Sequence, residues 1–216
     1  MKKHWRTLAA WLPAAAQRNI YEAHFKKEHT KWEALGTPFP PSHLLKQKKL
    51  LRIAKQYHLS VLVETGTFLG DMVFAMEPHF KTIYSIELSK EFHAQAQKRF
   101  RNSAKVRLVF GDSAKKLKEV VAELNEPALF WLDGHYSGGT TAKGDKECPV
   151  YEELESIFSS SLHHVIIIDD ARLFIGKNDY PTFPELTSFV KGYHAEATLS
   201  IENDSILITL STSSHV

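Results

Sequence analysis

Val61-Leu62-Val63-Glu64-Thr65-Gly66-Thr67-Phe68-Leu69-Gly70-Asp71 is the stretch that decides the fold: an apolar strand meets an acidic residue, then turns through glycines. A second apolar run, Thr82 to Glu87, also ends on a carboxylate. In a wound α/β sheet the first glycine turn lets the backbone approach a nucleotide-like ligand, and a carboxylate about 20 residues on can hold ribose hydroxyls. Together the two runs predict an adenosine-containing cofactor. A glycine turn alone is weak support, because such turns after buried strands are often only structural.

The same rhythm continues outward from this segment. Short β-branched or apolar runs at 61–64, 82–87, 106–110, 128–132 and 165–168 are separated by helical stretches. That alternation predicts a parallel sheet with helices on both faces. Phe92, Ala96 and Phe100 share one face of the helix between the second and third runs. Right-handed crossovers place the strand ends on one edge of the sheet. The tail, A-T-L-S-I-E-N-D-S-I-L-I-T-L at 197–210, reads as two strands joined at Asn203 and Asp204, which makes the last strand antiparallel. The expected fold is a doubly wound, mostly parallel seven-stranded α/β sheet with an antiparallel C-terminal hairpin.

Residues 1–58 carry no strand-like run and are expected to form an N-terminal helical extension, broken at Pro13 and at the loop 36–42. Residues 59–216 form the expected cofactor-binding domain. Leu44, Leu45, Leu50, Leu51 and Ile53, interleaved with lysines, predict an amphipathic helix whose apolar stripe packs on that domain. The extension is expected to shape an acceptor pocket or a homodimer interface.

Composition excludes several classes. With 216 residues, 43% of them hydrophobic and 24% charged, the chain can bury a proper core. A net charge of +2 gives no basis for a nucleic-acid partner, although the N-terminal part is locally basic. The start reads as a mature helix rather than a cleaved signal, because Pro13 interrupts its short apolar stretch. No apolar run reaches the ~20 residues that span a membrane. The single cysteine, Cys148, excludes an intrachain disulfide, and a cytoplasmic location is expected.

Each strand end carries an acid. Glu64 can order the turn or meet a cofactor amino group, while Gly66 and Gly70 permit close approach. Glu87 can hold ribose hydroxyls or cap the helix that begins near Ser89. Asp112 and Ser113 end the third strand, where Asp112 is equally well explained as an N-cap. The fourth strand ends in F-W-L-D-G-H at Asp133, and the fifth in I-I-I-D-D-A at Asp169 and Asp170. Asp133, Asp169 and Asp170 on one edge repel unless protonated or joined by a cation, and such oxygen donors suit Mg²⁺.

The sheet order with its closing hairpin, the pattern Glu64-x-Gly66-x-x-x-Gly70 and the series of acidic strand ends resemble the class I S-adenosylmethionine-dependent methyltransferases. The resemblance is greatest to the catechol-type O-methyltransferases, where an aromatic residue often replaces the middle glycine, as Phe68 does here. It covers about residues 59–210 and implies S-adenosylmethionine held by Glu64, Gly66, Thr67, Gly70, Glu87, Asp112, Ser113 and Asp133. It further implies Mg²⁺ held by Asp133, Asp169 and Asp170. The sugar O-methyltransferases of macrolide and aminocoumarin biosynthesis carry a similar site, with an acid or histidine base shortly after the first metal ligand. His135 stands at the matching place. The lysine base of catechol-type enzymes does not carry over, since Tyr136 occupies its position.

The resulting expectation is Mg²⁺-assisted O-methylation of a small hydroxylated acceptor, sugar-containing in one version, with His135 as the base. Metal coordination lowers a hydroxyl's pKa, and an imidazole of pKa ~6.5 can accept its proton. The loop 136–149, with Lys143 and Asp145, and the segment after Asp170, with Arg172, Lys177, Phe174, Tyr180 and Phe183, are candidate acceptor contacts. The competing readings are a metal-independent methyltransferase of the same fold and a non-catalytic nucleotide-binding protein. A dehydrogenase is disfavoured by the terminal hairpin and the missing middle glycine.

Overall fold

The computed structural model describes residue 12, residues 14–134 and residues 148–210. The chain divides into two compact units, Met1–Leu50 and Leu51–Val216. The first holds α1 (Ala14–Ala34) and the beginning of α2 (His43–Gln56), within which the division falls. Inside this unit the Phe25 and His43 rings stack at 4.4 Å, and His29 Nδ1 lies 2.7 Å from Ser42 Oγ.

The second unit is built on one sheet. Its strands are β1 (Val61–Thr65), β2 (Thr82–Glu87), β3 (Val106–Phe110), β4 (Ala128–Leu132), β5 (Val165–Ile168), β6 (Thr198–Glu202) and β7 (Ser205–Thr209). The helices are α3 (Asp71–Met76), α4 (Lys90–Arg99), α5 (Ser113–Ala122), α6 (Val150–Phe158) and α7 (Phe183–Tyr193), with a 3-10 turn at Ala171–Leu173. The order β3-β2-β1-β4-β5-β7-β6 makes β1 to β5 parallel and sets β7 antiparallel to both neighbours. The strands match the ranges expected from the sequence, with β1 one residue longer.

Burial explains why the central strands read as unbroken apolar runs. Every residue of β1, β4 and β5 is buried, as in a parallel sheet covered on both faces, whereas the edge strands β3 and β6 are half exposed. Val63, Phe130, Leu132, Ile166 and Ile168 point into a core shared with Leu117 of α5, Leu154 of α6 and Leu186 of α7. Helix starts follow local chemistry. Ser89 caps α4 by accepting from the Phe92 amide, Asp112 caps α5 by accepting from Ala114, and Thr182 opens α7 in a capping box with Glu185. No helix among the described residues is long and apolar enough to cross a membrane.

The topology reverses direction between β1 and β4. In open α/β sheets such a switch point leaves a crevice beyond the carboxyl ends of the strands. Here the two strands that flank it are joined at their ends, the Asp133 amide donating to Thr65 O at 3.2 Å.

Candidate active site

The glycine turn is fixed from three sides. Gly66 has φ +84, and a Cβ there would sit 2.4 Å from Asp133 O, so both its conformation and the proximity of β4 demand glycine. Gly70, with φ +71, leaves the same kind of space for the Phe100 ring. Between them Phe68 also has a positive φ, of 48°. Its amide donates to Glu87 Oε2 at 2.7 Å, while the Ser89 amide donates to Glu87 Oε1 at 2.7 Å. The Glu87 carboxylate therefore ties the turn to the start of α4, whose N-cap is Ser89 rather than Glu87 itself.

Glu64 lies under the turn, only 2% exposed. Ser85, its register partner on β2, donates to Glu64 Oε2 at 2.5 Å, and Thr67 Oγ1 lies 2.6 Å from Ser85 Oγ. Burial pushes the Glu64 carboxyl up to about 8 despite the Ser85 bond, with Glu87 and Asp71 adding to the rise. Arg99 holds the other side of the turn: its guanidinium pairs with Asp71 at 2.9 Å, donates to Leu69 O and lies over the Phe74 ring. Neither Ser85 nor Arg99 is marked by any motif in the sequence. Both become visible only once β2 and α4 are placed beside the turn.

Asp112 caps α5, and Ser113 is buried at its first position. Beside them stands a residue that sequence reading missed, Glu153 of α6, 1% exposed and with no hydrogen-bond partner for Oε1. Burial lifts its carboxyl to about 7, against a partial offset from the Ser113 and Thr65 hydroxyls. A Cβ on Gly134 would lie 3.0 Å from Thr65 Oγ1 and 3.4 Å from Ser113 Oγ. The Asp133-Gly134 turn thus rests directly on this polar group.

The acids ending β4 and β5 do meet. Each of Asp133, Asp169 and Asp170 offers a carboxylate oxygen, and these atoms all lie within 4.8 Å of one another. The neighbouring strands set this spacing, since the Asp169 amide donates to Leu132 O at 3.0 Å. Asp169 and Asp170 are buried and Asp133 is partly exposed. Hard oxygen donors this close fit a divalent cation such as Mg²⁺. Asp170 has a left-handed φ of 55° and its side chain makes no cap to the following 3-10 turn, so the expectation of a capping role is not met.

Of the segment after Asp170, Arg172 is committed to protein carboxylates: it donates to Asp170 Oδ1 at 2.8 Å and to Asp204 Oδ2. Phe174 and Tyr180 are buried and pack edge to face at 5.4 Å, while Phe183 is packed against the core. His135, Tyr136, Lys143 and Asp145 lie outside the described residues. Cys148 is buried, and burial raises its thiol to about 12, which fits a structural cysteine.

No protein-family model and no curated protein matches the chain. Solved structures do. A methyltransferase of Podospora anserina in complex with SAH is 20% identical, with 86% of this chain and 87% of that one covered at a TM-score of 0.57. An O-methyltransferase of Bacillus cereus in complex with SAH is 16% identical, over 88% and 91%, at 0.57. The O-methyltransferase TomG of Streptomyces achromogenes, in complex with SAM, is 16% identical, over 88% and 89%, at 0.55. The chain has the class I methyltransferase fold. In this methyltransferase fold the glycine turn, Glu87 and the aspartate cluster all stand at the carboxyl edge of the sheet, at the switch between β1 and β4.

Proposed function

We propose that the chain is an S-adenosylmethionine-dependent methyltransferase that methylates a hydroxyl of a small acceptor with the help of a divalent cation. The observation that carries this reading is the position of the Asp133, Asp169 and Asp170 oxygens, within 4.8 Å of one another, next to the Gly66 turn that β4 contacts. S-adenosylmethionine would supply an electrophilic methyl group, and a cation at the aspartates would lower the pKa of the acceptor hydroxyl. Such a displacement asks the protein mainly to hold nucleophile and methyl in line. Glu87 accepts from ribose hydroxyls, a reading supported by the two amides that orient its carboxylate. Glu64 meets the cofactor's amino group. Ser113 and Asp112 border the adenine side, and His135 is the base. The named neighbours, methyltransferases in complex with SAH or SAM, support this choice of cofactor.

A second reading, a metal-independent methyltransferase, is favoured by one contact: the Arg172 guanidinium already places a positive charge 2.8 Å from Asp170. Calorimetry decides in two steps. S-adenosylmethionine or SAH should bind and NAD should not; binding of neither methyltransferase ligand would sink the proposal. Mg²⁺ should then bind the cofactor-loaded wild type and not an Asp169→Ala, Asp170→Ala variant, and equal uptake by both would remove these ligands from the site. No loss of turnover in His135→Ala, across pH, would eliminate the base.

A further inference from the structure

We propose that Arg172, anchored by Asp204 at the β6–β7 turn, is a positioning residue that aims the Asp170 carboxylate into the cation site. This rests on the divalent-cation reading of Asp133, Asp169 and Asp170. Asp170 has a left-handed backbone, with φ 55°, and its side chain makes no cap to the turn that follows. Arg172 Nη1 donates to its Oδ1 at 2.8 Å. A carboxylate gripped through one oxygen by a fixed cationic donor presents its other oxygen in a set direction, as outer partners of metal ligands do.

Arg172 is itself fixed by the hairpin. Its amide donates to Asp204 Oδ1 at 2.9 Å, its guanidinium donates to Asp204 Oδ2, and the Ala171 amide donates to Asp204 O at 2.8 Å. Asp204 is 4% exposed while the Arg172 side chain is a third exposed, so the anchor is a half-buried ion pair whose carboxylate end is fixed inside the protein. Its place follows from the turn: Asn203 and Asp204 have φ values of 47° and 61°, closing a two-residue hairpin between Glu202 and Ser205. The antiparallel pairing of β7 with β5, in the register Ile168↔Ile206, carries that turn to the end of β5 where Asp169 and Asp170 stand. An arginine held by two buried carboxylates is suited to orienting Asp170 rather than to receiving an acceptor's anionic group.

The test is Mn²⁺ and Mg²⁺ titration calorimetry on the full chain loaded with SAH, comparing wild type with Arg172→Met, Arg172→Lys and Asp204→Asn. SAH affinity without metal and the melting temperature are measured alongside. Metal affinity should fall about 10–100-fold in Arg172→Met and Asp204→Asn, the range typical for loss of an outer partner. Arg172→Lys should fall less, and metal-free SAH affinity should stay unchanged throughout. Asparagine keeps the shape and tolerates the left-handed turn, so Asp204→Asn reports even where Arg172→Met fails to fold. Lower melting temperatures with unaltered metal affinity would overturn the proposal, as would tighter metal binding, which would make Arg172 a competitor for Asp170. A wild type that takes up no metal would overturn both this proposal and the cation reading beneath it.

Discussion

At the residue scale, Glu64 is the most consequential group beneath the turn. A buried carboxyl with a pKa of about 8 is mostly protonated at neutral pH, yet the role proposed for it, facing a cationic amino group, needs it ionised. Binding must then release its proton. Affinity for S-adenosylmethionine should rise by up to about tenfold per pH unit from pH 6 and peak at about 8, where Glu64 ionises and the ligand's α-amino group, with an ordinary pKa of ~7.7–8.0, begins to lose its proton. Glu64→Gln should bind more weakly above pH 8 and lose the slope below it. Calorimetry at several pH values checks this, and a slope that survives in Glu64→Gln would assign the proton to another group. At the next strand end, two backbone amides orient the Glu87 carboxylate, and it ties the turn to the start of α4.

At the scale of elements, α7 carries the segment after the cluster back to the hairpin, and its start depends on one local device. Glu185 Oε2 accepts from the Thr182 amide at 2.7 Å, while the Glu185 amide donates to Thr182 Oγ1 at 3.3 Å. Thr182→Ala removes the second bond and should cost about 1 kcal/mol, or about 2–4 °C in melting temperature. An unchanged melting curve would show that core packing through Leu186 and Val190 alone holds the helix. The five parallel strands were readable because each is a short apolar run with an acid at or near its end, and a parallel topology brings those acids to one edge. Asp204 was readable as a turn residue but not as Arg172's partner. That contact depends on the β5–β7 register and links residues far apart in sequence. Glu153 was hidden for a different reason: an acid in a helix's first turn normally faces solvent and the helix dipole, and nothing local shows that α6 buries it.

At the scale of the whole molecule, the buried titratable groups set how stability depends on pH. Burial raises Glu64 to about 8 and Glu153 to about 7, and it lowers His164 to about 4. His164 must be neutral in the fold, since its Nδ1 accepts from the Ala128 amide at 3.1 Å. From the ordinary carboxyl value of 4.5 upward, unfolding releases one proton from each glutamic acid, so their contribution is full below 4.5 and is lost as pH rises through 7 and 8. His164 acts oppositely: below its ordinary 6.5 the unfolded chain takes up a proton that the folded chain refuses, so its contribution is lost as pH falls toward 4. Between 4.5 and 6.5 His164 cancels one of the two carboxyls, and His194, which burial also lowers, offsets part of the other just below 6.5. Stability of the cofactor-free protein should therefore fall with rising pH from about 5 to about 8, by at most about 1.4 kcal/mol per pH unit for each net proton. The steepest part lies between 6.5 and 7, where both carboxyls act without the histidines' offset. Glu153→Gln should abolish the decline from about 5 to 6.5, leaving only the decline above it that Glu64 causes. Urea unfolding of both proteins across this range measures the difference. A wild-type profile that is flat or rises between pH 5 and 8 would mean that these carboxyls are ionised in the folded protein.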